Sequence, residues 1–252
     1  MGVSMALAET WVERWERQQE RYAVDREERF TVIADVVEWV TGRQERPLVL
    51  DLGSGPGSLA VRIAARLPHA HLVAVDVDPL LLELGRTNAP DAARFVEALI
   101  GADGWLDVLE LDRPVDAAVS TTALHYPAPE RLLEIYRELA AVLRPGGVLV
   151  NGDHLAPPEP VLASLAATVG HRRAGRQGPV PAEDWAAWWA AARQVPEFAD
   201  LLAERSAKAA PTSGEGNGLS VLQHQELLRE AGFREVGEVW RYGDSCVLVA
   251  VR

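Results

Sequence analysis

A run of apolar residues that ends in three closely spaced glycines most constrains how this chain folds. Residues 48–52 (LVLDL) have the length of a buried strand, and Gly53, Gly55 and Gly57 follow at once. Glycine adopts backbone angles that other residues avoid, and it lets a ligand approach the main chain closely. The alanine- and leucine-rich segment 58–67 predicts a helix after this turn, whose first N–H groups carry a partial positive charge. The sequence therefore predicts a ligand site where the strand ends.

The alternation of strand and helix continues along the chain. Strands are predicted at 71–75, 94–97, 115–119 and 148–150, and helices at 79–88, about 105–109 and 129–143. This spacing implies right-handed crossovers between parallel strands. A helix at 221–231 and two strands at 233–240 and 245–251, joined by a turn at 242–244, are predicted to close the chain. The predicted fold class is α/β, with a doubly wound, mostly parallel seven-stranded sheet that ends in an antiparallel hairpin.

Two regions lie outside this alternation. Residues 9–40 combine charged side chains with regularly spaced apolar ones, which predicts two helices hinged near 22–25. The region 155–219 holds prolines, a tryptophan cluster and a weakly structured segment at 210–218, and we interpret it as a helical lid with a mobile loop. We expect one domain with four parts: a helical cap at 1–45, a Rossmann-like core at 46–154, the lid at 155–219, and the closing helix and hairpin at 220–252.

Charge and composition narrow the classes of partner. The 252 residues include 37 acidic and 25 basic ones, for a net charge of −12, which disfavours nucleic acids and anionic membranes because both attract clustered cations. The chain lacks an apolar run of the roughly 18–20 residues that span a bilayer, and its first ten residues lack a signal-peptide pattern. Its single cysteine, Cys246, excludes an internal disulfide. These features predict a cytoplasmic protein without a nucleic-acid or membrane partner, and we expect a monomer or a homodimer.

The glycine spacing separates two classes of cofactor. Dinucleotide sites prefer G-x-G-x-x-G, whereas the turn here is spaced G-x-G-x-G, with Ser58 in the place of the last glycine. Asp76 closes the second predicted strand, where the two acceptor oxygens of a carboxylate can take both hydroxyls of a ribose. The spacing counts against a nicotinamide-dependent oxidoreductase, which is kept as the less favoured alternative.

The chain resembles the class I S-adenosylmethionine-dependent methyltransferases over about residues 47–154. Four segments carry the resemblance: VLDLGSGPG, VAVDVDP, PVDAAVSTTALHY and LRPGGVLV. It implies that S-adenosyl-L-methionine is the cofactor and S-adenosyl-L-homocysteine the product. In this family the glycine turn holds the methionine part and the acid after the second strand holds the ribose. The residues implied by position are Asp51, Gly53, Ser54, Gly55, Asp76, Val77, Ser120 and Thr121.

Adenine recognition departs from the family pattern. Many relatives have an acid directly after the third strand, whereas this chain supplies its next acid at Asp103. The resemblance therefore places the adenine contact on Asp103, Gly104 and Trp105. The alternative is that Asp103 caps the short helix and Trp105 packs beneath it.

The N-terminal helices of this family often fold over the cofactor. This implies a cofactor contact from Tyr22, and a carboxylate partner in Arg26 or Arg29. For the two arginines, we prefer the interpretation that they form a solvated helix face.

Methyl transfer from a sulfonium is an in-line displacement, so the protein must align the reactants and remove a proton where the nucleophile carries one. His125 and His154 follow the fourth and fifth predicted strands and are the candidate bases, and Asp153 is expected to orient the ring of His154. Packing is the alternative role for each histidine. We predict no metal, because the fourth strand ends in Ser120 where metal-dependent relatives carry an acid.

The acceptor is predicted to be a small molecule. The Asn/Asp-Pro-Pro-aromatic segment of relatives that methylate nucleic acids is absent after the fourth strand. The basic stretch 171–176 is the local exception to the acidic composition, and an acidic group of the acceptor is expected there. Because cofactor motifs report binding and not turnover, an S-adenosylmethionine-binding protein with another reaction is the main alternative.

Overall fold

The seven strands that the structure describes form one mixed sheet. The computed structural model describes residues 2–20, 22, 25–177, 183–208 and 216–252. The strands are β1 (Leu48–Leu52), β2 (His71–Asp76), β3 (Arg94–Glu97), β4 (Val115–Thr121), β5 (Leu143–His154), β6 (Glu235–Tyr242) and β7 (Ser245–Val251). Their order is β3-β2-β1-β4-β5-β7-β6, and β7 is antiparallel to both of its neighbours. The predicted α/β sheet with a C-terminal antiparallel hairpin is confirmed.

Helices cover both faces of the sheet. They are α1 (Met5–Glu20), α2 (Arg26–Thr41), α3 (Ser58–Arg66), α4 (Pro79–Asn88), α5 (Pro129–Val142), α6 (Pro160–Gln177), α7 (Trp185–Ala192), α8 (Ala199–Ala207) and α9 (Val221–Glu230). Short 3-10 helices lie at Asp107–Leu109 and Pro196–Phe198. Side chains of α2 and α3 share one apolar core with the sheet, and those of α5 and α9 share the other. This arrangement is the doubly wound architecture, in which the carboxyl ends of the parallel strands meet along one edge.

The largest difference from the predicted elements is in β5. The apolar pattern predicted a strand only at 148–150, yet β5 runs from Leu143 to His154 because it pairs with β4 on one side and with β7 on the other. Its extension includes Asn151 and Asp153, which are polar but buried. Buried polar residues interrupt an apolar pattern. The predicted strand was therefore too short at its carboxyl end, where a site is expected.

The region predicted as a lid divides into two parts. Helices α7 and α8 pack with α1 against α4 in a third apolar cluster, whereas α6 lies along β6. Edge-to-face contacts hold the cluster together, with ring centroids 4.9 to 5.3 Å apart among Trp11, Trp15, Trp188, Trp189 and Phe198. Most of the predicted mobile loop lies outside the described residues. Within the described part of the chain, no helix has the length and apolarity needed to cross a membrane.

Candidate active site

The glycine turn is held against the end of the neighbouring strand. The backbone N–H groups of Gly53 and Ser54 both donate to the carbonyl of Val75, at 2.8 and 3.0 Å. Gly53 has a φ of 70°, and a Cβ built on it would lie 2.3 Å from the Cβ of Ala123, which follows β4. Both the left-handed backbone and the close approach require glycine here. The turn therefore brings the ends of β1, β2 and β4 together, as the ligand site requires.

The carboxylate of Asp76 is fixed beside this turn. One oxygen accepts from the N–H of Gly55 at 2.7 Å, and the other accepts from the N–H groups of Val77 at 2.7 Å and Asp78 at 2.9 Å. Burial raises the pKa of Asp76, although these N–H donors oppose the shift. The carboxylate has lone pairs left for further donors, so its position fits the ribose role implied for it.

Asp51 supplies a second carboxylate, one strand away. It is fully buried, and one oxygen accepts from the N–H of Ala60 at 3.1 Å, while the other has no partner among the described residues. Burial raises the pKa of Asp51 to about 7, and the negative charge of Asp76 adds to the shift. A cation beside Asp51 would favour its ionised form, so the residue is suited to an ammonium group.

Helix α1 covers the glycine turn. The indole of Trp15 lies 3.6 Å from the position that a Cβ on Gly55 would occupy. Glu16 accepts a hydrogen bond from the hydroxyl of Ser58 at the start of α3, and it also pairs with Arg26 at 2.5 Å. Burial raises the pKa of Glu16, but the arginine and the hydroxyl outweigh it, so the net pKa is lowered. A role for Trp15 and Glu16 was not predicted, because periodicity shows that α1 has an apolar face but not what that face covers.

The end of β4 contributes one internal and one unpaired hydroxyl. The hydroxyl of Ser120 donates to the carbonyl of Leu52 at 2.9 Å and so ties β4 to β1. The hydroxyl of Thr121 is buried and has no partner among the described residues. A polar ligand over the ends of β1 and β4 would supply partners for Thr121 and for the free oxygen of Asp51. The carboxylate acceptors of Asp51 and Asp76 and the free hydroxyl of Thr121 therefore fit a cofactor with ammonium and ribose groups.

His125 and Asp153 form a hydrogen-bonded pair at the same edge. The Nδ1 of His125 lies 2.9 and 3.0 Å from the two carboxylate oxygens of Asp153, which is fully buried at the end of β5. A carboxylate only accepts, so Nδ1 is the donor and Nε2 of the neutral ring is left to accept a proton. Burial lowers the pKa of His125, but the bond and the charge of Asp153 outweigh it, so the net pKa is raised.

The prediction that Asp153 orients His154 is wrong, because the carboxylate faces the other histidine. From His154, the Asp153 carboxylate accepts a hydrogen bond only from the backbone N–H, at 2.8 Å. Neighbouring residues of a strand point to opposite faces, so the ring of His154 is turned away and approaches Asp244 at 3.7 Å. The pairing of His125 with Asp153 joins residues that are 28 positions apart, which a single sequence does not show.

A fully buried histidine, His224, forms a further hydrogen-bonded pair. The hydroxyl of Tyr136 on α5 and the Nδ1 of His224 on α9 are 2.8 Å apart, and both side chains are fully buried. Burial lowers the pKa of His224 to about 4, so the ring is neutral at physiological pH. No role was predicted for Tyr136 or His224, since each lies within an ordinary helical pattern.

Tyr22 lies in the connection between α1 and α2. Its hydroxyl accepts a hydrogen bond from the N–H of Trp185 at 3.0 Å, and the side chain is half exposed. The structure thus places Tyr22 between the N-terminal helices and α7.

The side chains of the predicted adenine residues lie in different environments. Asp103 projects into solvent, with Arg131 at 3.6 Å. The indole of Trp105 is 2% exposed and donates to Glu138 on α5 at 2.7 Å, so its side chain belongs to the core. Gly104 between them has a φ of 74°. The packing alternative fits Trp105, and an adenine contact by these residues stays a prediction.

Arg26 and Arg29 are not a solvated face. They are 6% and 1% exposed, and Arg26 pairs with Glu16. Charge-rich helices normally turn such residues to solvent, and here the dense contacts of α2 with β5 and β4 bury them instead.

The chain is similar to known methyltransferases. Residues 49–147 match the family model described as a methyltransferase domain. Over 125 residues, the chain is 34% identical to trans-aconitate 2-methyltransferase of Methylobacterium radiotolerans, covering 49% of this chain and 45% of the relative. It is 35% identical over 148 residues to release factor glutamine methyltransferase of Deinococcus radiodurans, covering 51% and 52%. The chain therefore spans about half the length of the curated relatives that it matches.

Solved structures extend the likeness to the whole fold. An S-adenosylmethionine-bound amino pentose methyltransferase from Micromonospora echinaspora superposes with a TM-score of 0.61 at 17% identity, covering 94% of this chain and 96% of that one. Human N-acetylserotonin methyltransferase, in complex with S-adenosylmethionine, superposes with a TM-score of 0.52 at 18% identity, covering 95% and 56%. At these identities the likeness establishes a shared fold.

Proposed function

We propose that this chain, whose residues 49–147 form a methyltransferase domain of the class I S-adenosylmethionine-dependent family, transfers a methyl group from that cofactor to a small molecule. One observation carries the proposal: the glycine turn is fastened to the carboxylate of Asp76 through the N–H of Gly55 at 2.7 Å. This contact places a ribose acceptor and an open main chain side by side. The nicotinamide alternative loses support, since the family match adds to the G-x-G-x-G spacing.

The residues that hold the cofactor surround this turn. Asp76 would accept from the ribose, and Asp51, with a pKa of about 7, would take its charged form beside the ammonium. Ser54 and Thr121 lie at the ends of β1 and β4, and Trp15 would exclude water from above. When bound, the cofactor supplies an electrophilic methyl group.

His125 is the proposed general base. Asp153 holds the ring so that Nε2 faces away from the carboxylate, ready to accept a proton from an acceptor hydroxyl or amine. His154 becomes the less favoured base, since Asp153 does not orient it. Asp153 acts on the acceptor only through His125 and is a positioning residue.

A small-molecule acceptor is favoured over a protein side chain. The relatives include protein methyltransferases as well as trans-aconitate 2-methyltransferase, so family membership leaves the acceptor open. The acceptor side of this site is overlaid by chain: the N–H of Asn217 donates to the carbonyl of His125 at 2.6 Å. A covered site suits a small molecule better than a polypeptide. A cytoplasmic location, a monomeric or homodimeric state and metal independence stay predictions from the sequence.

Titration calorimetry with S-adenosyl-L-homocysteine tests the cofactor site. We expect one site per chain in the wild type and an affinity loss of about 10- to 100-fold in Asp76→Ala, because hydrogen bonds to a charged group are removed. Asp112→Asn is the matched control, since this carboxylate lies in the exposed loop before β4. Equal affinity of the wild type and Asp76→Ala would exclude the ribose role.

Transfer of a labelled methyl group tests the chemistry. Once a screen has identified an acceptor, His125→Ala should lower kcat by about 10²- to 10⁴-fold and leave the affinity for S-adenosyl-L-homocysteine unchanged. His154→Ala is the control and should retain kcat within a few-fold. Full turnover in His125→Ala would mean that alignment alone suffices. Retained activity in a chelator is expected, and loss that Mg²⁺ restores would refute metal independence.

A further inference from the structure

Arg29 on α2 is a buried cation without an anion. Its side chain is 1% exposed, its Nε has no partner, and its hydrogen bond to the hydroxyl of Ser245 is long, at 3.4 Å. Across the described residues, no carboxylate forms an ion pair with it. Arg26, one helical turn earlier, is also buried but is paired with Glu16 at 2.5 Å. Of these two buried arginines on one helix, Arg26 therefore has a carboxylate partner and Arg29 has none among the described residues.

An unpaired buried charge is costly, because burial removes its hydration and nothing replaces it. The nearby carboxylate of Asp153 is engaged by His125 through both oxygens and by the N–H of His154. It attracts Arg29 from a distance but does not bond to it. Among the residues that the structure describes, the guanidinium of Arg29 thus has hydrogen-bonding capacity to spare and no ion-pair partner.

The place of Arg29 in the sheet indicates which ligand it serves. A Cβ built on Gly152 of β5 would lie 3.1 Å from the Cγ and Cδ of Arg29, and Ser245 begins β7. These strands are two and three places from β1, and since strands lie about 4.8 Å apart, Arg29 is roughly 10–14 Å from the glycine turn. His125 and Asp153 lie at the same end of the sheet. Because Gly152 and Asp153 are neighbours on β5 and face opposite sides of the sheet, Arg29 lies across the end of β5 from His125 and Asp153, close enough for its charge to act on both groups.

We propose that Arg29 binds a carboxylate of the methyl acceptor and so selects carboxylic acids whose hydroxyl or amine reaches His125. The inference rests on the proposed function and adds the substrate class. The planar fork of a guanidinium matches the two oxygens of a carboxylate, which gives geometry as well as charge.

This assignment replaces the role expected for the basic stretch 171–176. Arg173 pairs with Asp25, and its guanidinium lies 4.6 Å from the ring centroid of Tyr242. Arg176 donates to the hydroxyl of Tyr242 at 3.2 Å. These arginines are occupied within the fold, whereas Arg29 is not.

The test uses the full-length protein saturated with S-adenosyl-L-homocysteine. The probes are hydroxycarboxylic acids from malate to 4-hydroxybenzoate, each beside its primary amide, which keeps the shape and removes the charge. We expect at least one acid to raise the Tm and its amide not to do so. Arg29→Met should weaken the binding of that acid by about 10- to 100-fold, and Arg29→Lys should weaken it less.

Two controls separate this role from others. Arg29→Met should bind S-adenosyl-L-homocysteine within about twofold of the wild type and should keep or raise the Tm, because removing an unpaired buried charge is not destabilising. Arg26→Met is the matched variant and should lower the Tm, since it removes the buried partner of Glu16 and leaves that carboxylate the less buried Arg62 as its ion-pair partner.

Three outcomes would overturn the proposal. The first is equal binding of the acids and their amides, and the second is that no acid binds. The third is a loss of affinity for S-adenosyl-L-homocysteine in Arg29→Met, which would assign Arg29 to the cofactor. Failure of the wild type to bind S-adenosyl-L-homocysteine would instead refute the proposed function itself.

Discussion

At the scale of single residues, the site combines carboxylates whose pKa values are shifted in opposite directions. Burial raises the pKa of Asp51 and Asp76, whereas His125 holds the pKa of Asp153 below its usual range despite burial. Motif and position predicted that the first two would lie at the ends of β1 and β2. The pairing of Asp153 with His125 and the burial of Arg29 could not be predicted, because both depend on contacts between residues far apart in sequence.

Asp51 should make the stability of the protein depend on pH. Its pKa is about 7 in the folded chain and 3.8 in the unfolded chain, so the folded state binds the proton more tightly. The resulting stability is fully present below pH 3.8 and is lost as the pH rises through 7. We expect Asp51→Asn to lack this loss, which amounts to about 4 kcal/mol.

Urea unfolding of the wild type and Asp51→Asn between pH 4.5 and 8 measures the difference. Their free energies of unfolding should diverge with rising pH, the variant becoming relatively more stable. Asp112→Asn serves as the control for a surface carboxylate. Parallel curves for wild type and Asp51→Asn would contradict the raised pKa.

His125 should make the rate of the reaction, and not only the stability of the fold, depend on pH. A base acts only when it is neutral, and the bond to Asp153 raises the pKa of the ring above 6.5. We therefore expect kcat to fall as the pH drops through this raised pKa. Asp153→Asn should move the acidic limb of the profile to lower pH, since the charge that favours the imidazolium is gone. An unmoved limb would assign the titration to another group.

At the scale of elements, the turn after β1 shows what a short motif specifies. The glycines of residues 53–57 predicted unusual backbone angles and a close approach by a ligand; all three glycines have a positive φ, and Gly53 is approached closely by the protein itself. The partner in the close approach, Ala123, follows a different strand and was not indicated by the motif. Similarly, apolar alternation located β5 but not its polar end, where Asn151 and Asp153 are buried by pairing with β4 and β7.

A double-mutant cycle at this turn should separate its two constraints. Gly53→Ala places a Cβ 2.3 Å from that of Ala123 and also forces alanine to a φ of 70°. We expect Gly53→Ala to destabilise the fold by about 2–5 kcal/mol, and Ala123→Gly to restore about 1–3 kcal/mol of this by relieving the overlap. The remainder reports the backbone strain. If Ala123→Gly restores nothing in chemical denaturation, the two residues are not in contact.

At the scale of the whole molecule, the N-terminal helix and the inserted helices form one unit over the cofactor half. The sequence predicted helices in both regions and a tryptophan cluster in the insertion. It did not predict that Trp188 contacts Trp11 of α1, because the amphipathic face of one helix does not identify the helix that it packs against. This contact links the insertion to the site, since α1 also carries Trp15 and Glu16 to the glycine turn.

Removing the central indole of this cluster should therefore affect both stability and binding. Trp188 is fully buried, and Trp188→Ala should cost about 3–5 kcal/mol of unfolding free energy. Because α1 loses its support, we also expect weaker binding of S-adenosyl-L-homocysteine at temperatures where the variant is folded. Trp39→Ala is the matched control, since that indole is 83% exposed, and it should change the unfolding free energy by less than about 0.5 kcal/mol. Lower stability with unchanged affinity would show that α1 covers the turn without contributing to cofactor binding.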